Sequence, residues 1–80
     1  MTLKQGSVET TNECGERQVD FYLMYENGEK LGSASGGYID HGGSFECWRH
    51  ELIGMTFGRF FTDEADAINW CNHRKVKGEA

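Results

Sequence analysis

The sequence predicts an α+β fold, in which a four-stranded antiparallel β-meander is followed by one C-terminal α-helix that packs on one face of the sheet. Within residues 17–25, apolar side chains recur at Val19, Phe21, Leu23 and Tyr25, which is the two-residue period of a strand. Asn27 and Gly28 follow, and Asn-Gly is the strongest short signal for a hairpin because both residues tolerate positive φ. After residue 61 the apolar period becomes that of a helix.

A single domain spanning residues 1–80 is expected, because the chain has 80 residues. Residues 1–16 are polar and have little periodicity, which predicts a loosely ordered start. Residues 3–8 are the candidate for a short strand in that segment. The core of so small a domain is also small, so each large aromatic side chain contributes a sizeable share of it.

The middle of the chain is rich in glycine. Residues 30–34 return as the partner of the first predicted strand, although Gly32 and the serines in and next to it weaken this strand. Residues 35–44 carry two glycine pairs around Tyr38 and Ile39, which predicts a flexible loop with a small apolar tip. A wide hairpin or a bulged extension of the second strand would also accommodate these glycines.

Residues 45–52 and 55–61 are predicted as the third and fourth strands. Ile53 and Gly54 join them, most simply as a type I turn with Gly54 in the left-handed conformation. The register is open at this stage, since a slip of one residue would exchange the two faces of a strand.

The helix has signals at both ends. Thr62 is predicted as the N-cap, and Asp63 and Glu64 follow it at the positive end of the helix dipole. Gly78 can close the helix. The basic residues near its C-terminal end are Arg74, Lys75 and Lys77.

The predicted helix has a narrow apolar stripe, which suits a helix lying on a sheet. At helical spacing Ala67, Ile68 and Cys71 share one face, with Ala65 on its flank and Trp70 at the edge of the stripe.

Composition restricts the class of protein. The net charge is −5, with 38% hydrophobic and 26% charged residues, which is typical of a globular chain. Neither a membrane-spanning segment nor a signal peptide is recognisable, so a cytoplasmic protein is expected. Residues 1–40 hold seven acidic and three basic residues, which disfavours a sequence-independent grip on nucleic acid and favours a protein partner with a basic surface.

No catalytic motif, metal site or cofactor site is predicted. The three cysteines suit free thiols in a cytoplasmic chain. The pairs Cys47-x-x-His50 and Cys71-x-His73 resemble metal ligands in the sequence, but residues three apart in a strand, or two apart in a helix, point in different directions. No nucleophile, acid-base or phosphate-loop pattern supports an enzyme.

Apolar side chains on both faces of the first predicted strand indicate a protein partner or a homodimer. Tyr22 and Met24 lie opposite Phe21 and Leu23 by alternation. The alternative is that the N-terminal segment folds over the second face of the sheet.

Two resemblances suggest functions. The pattern W-R-x4-G-x3-G-R-F-x-T-x-E-A-x4-W, over residues 48–70, resembles the sheet-plus-helix DNA-binding modules of the AP2 and integrase arm type. Those modules place a sheet in the major groove, although they are basic and this strand carries Glu46 and Glu51. The resemblance implies that Trp48, Arg49 and Arg59 contact DNA. We expect Arg74 and Lys75 to contact phosphates under the same hypothesis.

The second resemblance is to small phage anti-CRISPR proteins, and it covers more of the chain. It rests on the acidic hairpin YENGEKL of residues 25–31, a later Gly58-x-Phe60 strand and a helix that runs from Thr62-x-Glu64 to Trp70. Such proteins are non-enzymatic inhibitors that cover basic nucleic-acid-binding surfaces of a CRISPR effector. The partner-binding residues expected under this hypothesis are Tyr22, Tyr25, Glu26, Glu29 and Tyr38.

Overall fold

A computed structural model describes residues 2–52, 54 and 56–78, with residues 56 and 57 described by their backbone only. It contains an antiparallel sheet of five strands in the order β1-β2-β3-β4-β5 and one helix. The elements are β1 (Leu3–Thr11), β2 (Arg17–Tyr25), β3 (Lys30–Asp40), β4 (Phe45–His50), β5 (Thr56–Phe61) and α1 (Glu64–Cys71). The α+β class and the C-terminal helix are confirmed, whereas the predicted number of four strands is wrong.

The additional strand is β1, which pairs with β2 along its whole length, from Leu3 opposite Tyr25 to Thr11 opposite Arg17. The candidate strand at residues 3–8 is therefore present and longer than expected. Apolar alternation does not reveal it, because all nine of its residues are exposed or half-exposed. β1 lies at the edge of the sheet, so it does not fold over the second face.

β3 has eleven residues and includes the first glycine pair, Gly36 and Gly37. The prediction of a flexible loop over residues 35–44 is wrong, and the alternative of a bulged extension of the strand is confirmed. The bulge lies between the pairs Phe21–Gly36 and Leu23–Leu31, and the Ser35 hydroxyl donates to the Phe21 carbonyl oxygen (3.3 Å).

β4 ends at His50, two residues before the end of the predicted strand 45–52. β5, predicted over residues 55–61, is described from Thr56 to Phe61. Gly54 has φ +80°, so its expected left-handed conformation is confirmed. Ile53, the other residue of the predicted turn, and Met55 lie outside the described residues.

The helix begins and ends within narrower limits than predicted. Asp63, not Thr62, is the N-cap, because its carboxylate accepts from the Ala65 amide at 2.9 Å. The helix ends at Cys71, and Gly78 lies in a later turn. The last helical turn contains no basic residue, so Arg74, Lys75 and Lys77 follow the helix.

The core lies between α1 and one face of the sheet. Val19, Tyr38 and Cys47 are register neighbours on β2, β3 and β4, and each is at most 6% exposed. Trp70, expected at the edge of the apolar stripe, is 6% exposed and belongs to the core. The other buried hydrophobic residues of this cluster are Phe21, Ala67, Cys71 and Val76.

α1 packs on β3, β4 and β5. It therefore leaves uncovered the edge strand β1 and the end of the β2–β3 hairpin beyond Phe21. The opposite face of the sheet carries Trp48, Ile39 and Phe60, of which Phe60 is 61% exposed. No helix in the described part of the chain is long and apolar enough to span a membrane.

Candidate interaction surfaces

Arg17 gathers three carboxylates at the N-terminal end of α1. Its guanidinium contacts Glu64 at 2.5 Å, Glu9 at 3.1 Å and Asp40 at 3.4 Å. The Tyr38 hydroxyl donates to the same Glu64 carboxylate at 2.6 Å, and together with Arg17 it lowers the pKa of Glu64. Burial, followed by this hydrogen bond, raises the pKa of Tyr38. Glu64 thus ties the helix to the sheet through Arg17 and Tyr38, whereas Glu9 and Asp40 pair with Arg17 within the sheet.

His41 forms a second internal cluster at the same end of the sheet. One ring nitrogen lies 2.6 Å from Glu16 and the other 2.8 Å from Glu46. The hydrogen bonds with Glu46 and Glu16 raise the pKa of His41, and the contact with His41 lowers the pKa of Glu16. This cluster joins the β1–β2 turn to the β3–β4 hairpin.

The acidic turn, which we define as residues 26–29 between β2 and β3, is different. The side chains of Glu26 and Glu29 are exposed and form no hydrogen bond or ion pair with another described residue. The turn itself is well formed, because the Asn27 side chain accepts from the Glu29 amide at 2.9 Å and Gly28 has φ +87°. An open cleft of about 560 Å³ lies beside it, lined by Thr2, Tyr25, Glu26, Asn27 and Glu29.

A leucine patch, defined as Leu3, Leu23 and Leu31, lies next to the acidic turn. Leu23 pairs with Leu31 across β2 and β3, and Leu3 pairs with Tyr25 across β1 and β2. The three leucines are 41–47% exposed. They lie on the helix-bearing face of the sheet, but α1 does not extend far enough to cover them. These exposed apolar side chains therefore border the unpaired carboxylates of Glu26 and Glu29.

The five expected partner-binding residues are therefore only partly together. Tyr25, Glu26 and Glu29 line one cleft. Tyr22 lies on the opposite face of the sheet, where the Lys30 ammonium sits 4.8 Å from the centre of its ring. Tyr38, expected on an exposed loop, is 2% exposed and lies in the core, because β3 continues through the glycine pair.

Four of the five residues expected to contact DNA line a basic cleft of about 440 Å³ at the C-terminal end of α1. We define the basic cleft by its lining residues Arg49, Arg59, Trp70, His73, Arg74, Lys75 and Val76. The fifth residue, Trp48, lies on the other face of the sheet, since neighbouring residues of β4 alternate. The DNA-binding arrangement would require Trp48 and the strand arginines to share one surface, and they do not.

The candidate metal pairs do not converge. Cys47 is buried beneath the helix, whereas His50 is exposed on the other face of β4. Cys71 is buried with its thiol 3.1 Å from the Gly37 carbonyl oxygen, and His73 is exposed. Within residues 2–52, 54 and 56–78, no group of three or more His, Cys, Asp or Glu side chains is arranged to hold a metal ion.

Comparison of the chain with protein-family models, with curated proteins and with solved structures found no significant match. A function for this chain is therefore inferred from the geometry and charge of its surfaces.

Sequence reasoning missed two features of these surfaces. Alternation does not reveal the leucine patch, because it places Leu23 on the same face as the buried Val19 and Phe21. It cannot show that the helix ends before it covers Leu23. The sequence marks His73 only by its proximity to Cys71. The left-handed backbone of His73, with φ 59°, arises only because the helix stops at Cys71.

Proposed function

We propose that this protein acts by stoichiometric binding to a protein partner that has a basic surface, and that the acidic turn and the leucine patch form the contact. The observation that carries the proposal is the contrast between carboxylates. Arg17, His41 and Arg49 engage the carboxylates around them, whereas Glu26 and Glu29 are left without an internal partner among the described residues.

The chemistry of this surface suits association with a protein. Charged groups at the rim of an interface steer a partner of opposite charge, and apolar side chains beside them supply the area that is removed from water. The Tyr25 ring can add buried contact area, because tyrosine is among the residues that dominate binding energies at interfaces. The net charge of −5 favours approach to a basic surface over the whole molecule.

In its specific form, the proposal is that this is a phage or prophage anti-CRISPR protein that acts in the cytoplasm of the host bacterium. It would cover a basic nucleic-acid-binding surface of a CRISPR effector and thereby compete with guide RNA or target DNA. The small size, the acidic composition and the unpaired carboxylates beside exposed leucines support this role. It requires no catalysis by the chain.

The first experiment is capture of partners by the tagged protein from a host lysate, with and without nuclease, read by mass spectrometry. Recovery of CRISPR effector subunits that survives nuclease would support direct inhibition. Recovery that disappears with nuclease would contradict it and would favour binding through nucleic acid.

Charge reversal then tests the surface itself. Glu29→Lys, alone or with Glu26→Lys, should weaken binding of the captured partner by about tenfold or more, because each change replaces an attraction by a repulsion. Glu13→Lys is the matched control. Glu13 is likewise exposed on a turn and without a partner among the described residues, but it lies at the opposite end of the sheet. Equal losses in the two variants would refute a localised contact at the acidic turn.

A further inference from the structure

The basic cleft is unexpected in a chain of net charge −5. It brings together four of the eight lysines and arginines, and no carboxylate lines it among the described residues. The arginines come from two neighbouring strands and the other cations from the segment after α1. The fold, rather than a run of basic sequence, therefore creates this concentration of positive charge.

Arg49 is held in place within the cleft. Its guanidinium lies over the Trp70 ring at 4.2 Å, donates to the Trp70 carbonyl oxygen at 2.8 Å and pairs with Glu51 at 2.6 Å. These contacts use part of a guanidinium that carries five N–H donors. An arginine fixed in this way loses little side-chain entropy when its remaining donors bind an anion.

The segment after the helix is also held on both sides. Val76 is 5% exposed, and the Lys77 amide donates to the Asp66 carboxylate at 3.1 Å. Arg74 and Lys75 are exposed between these points and the end of the helix, and their side chains form no hydrogen bond or ion pair with another described residue. The segment therefore presents two unpaired cations from an anchored backbone.

His73 adds an independent observation. The His73 amide donates to the Trp70 carbonyl oxygen at 3.1 Å, and the Arg74 amide to the Asn69 carbonyl oxygen at 2.7 Å, which is the hydrogen-bond pattern of a Schellman cap. Glycine usually occupies the left-handed position of this cap, but here it is His73, with φ 59°. The cap therefore fixes the backbone of His73 where this residue lines the cleft.

We propose that the basic cleft binds the phosphate chain of a small polyphosphate ligand, such as a nucleoside triphosphate or inorganic tripolyphosphate. Arginine donors match phosphate oxygens in geometry. The four cations of the cleft, less the charge of Glu51 that pairs with Arg49, leave a net positive charge that attracts a triphosphate. The volume of about 440 Å³ lies in the range of small-molecule sites. A nucleic-acid strand requires a longer basic track, which this acidic chain does not provide.

The test is calorimetric titration of the 80-residue protein with sodium tripolyphosphate, without divalent metal and at about 0.15 M ionic strength, where the Debye length is about 8 Å. ATP and a single-stranded oligonucleotide are the parallel arms. Arg74→Glu with Lys75→Glu should weaken tripolyphosphate binding by more than about tenfold, because each lost phosphate contact involves charged partners. Both residues are exposed, so this variant should fold, and circular dichroism checks that it does.

The matched control is Lys4→Glu with Lys30→Glu, which makes the same change in net charge at the hairpin end of the sheet. It should keep the affinity within about threefold, because distant exposed charges are screened. Equal losses in the two variants, no binding by the wild type, or tighter binding of the oligonucleotide than of both polyphosphates would each overturn the proposal.

Two further variants separate this site from other roles of the same residues. His73→Gly should melt no lower than the wild type, because glycine suits the left-handed cap, yet it should bind tripolyphosphate several-fold more weakly. Unchanged affinity would remove His73 from the site. Glu26→Lys with Glu29→Lys should leave tripolyphosphate binding intact, so failure at the basic cleft is distinguishable from failure of the proposed protein contact.

Discussion

Gly36→Ala tests why β3 can run through a glycine pair beneath the end of the helix. A Cβ atom at position 36 would lie 2.9 Å from the Trp48 carbonyl oxygen and 3.1 Å from that of Cys71. Both atoms belong to backbone, so neither can move without shifting β4 or the last turn of α1. Alanine at this position should therefore push the helix away from the sheet.

The magnitude is set by two opposing effects. Overpacking at a close backbone approach costs roughly 1–3 kcal/mol. Alanine loses less backbone conformational entropy than glycine on folding, and this difference offsets about 0.5–1 kcal/mol of the overpacking cost. The net loss of unfolding free energy should be about 1–2 kcal/mol, and each kcal/mol lowers the melting temperature of so small a domain by about 4–8 °C.

Urea denaturation followed by tryptophan fluorescence measures this loss, because Trp70 lies in the core beside the affected turn. Gly43→Ala is the matched control. Gly43 belongs to the second glycine pair, its backbone φ is not positive, and a Cβ atom there would meet nothing within 4 Å. It should be as stable as the wild type or up to about 1 kcal/mol more stable. If Gly36→Ala matched this control, the close approach of the helix to β3 would be refuted.

Two further predictions concern the ends of the helix and of the sheet. Asp63→Ala should lower the unfolding free energy by about 1 kcal/mol, because it removes the N-cap, whereas Thr62→Ala should change it by less than about 0.5 kcal/mol. Thermal melts of the two variants compare these effects. A larger loss for Thr62→Ala than for Asp63→Ala would contradict the assigned cap. His41→Gln should destabilise the protein most between about pH 4.5 and 6.5. In that range protonated His41 meets the carboxylates of Glu46 and Glu16. The raised pKa of His41 adds stability that is lost as pH rises through the folded pKa of His41, and the lowered pKa of Glu16 adds stability that is lost as pH falls through the folded pKa of Glu16. Chemical denaturation of both proteins across pH measures this, and a difference independent of pH would rule out the ionic contribution.

Local signals were enough to predict three elements of the fold. These are the strand β2, the hairpin that follows it and the C-terminal helix. Alternation from Val19 to Tyr25 and the Asn-Gly turn depend on neighbours in the sequence, and the structure places β2 within the predicted bounds. Three of the residues that line the cleft beside the acidic turn were also predictable, since Tyr25, Glu26 and Glu29 lie in or next to that turn.

The strand β1 and the glycine pair of β3 could not be assigned from local pattern. β1 is exposed on both faces, so its pairing with β2 rather than its own composition makes it a strand. Gly36 has poor intrinsic strand propensity, but it lies where the Trp48 and Cys71 backbones come too close for a side chain. The same extension carries Tyr38 from an expected loop into the core.

The sequence by itself determined the fold class, the acidic balance and the position of the acidic turn, because these depend on local pattern and composition. Only the tertiary structure decided which charges are neutralised and which are available. Arg17 reaches Glu64, and Arg49 and Arg74 line one cleft, across separations in the chain that no periodicity encodes. The packing of a short helix on part of a five-stranded sheet thus produces an acidic surface at the hairpin end and a basic cleft at the helix end.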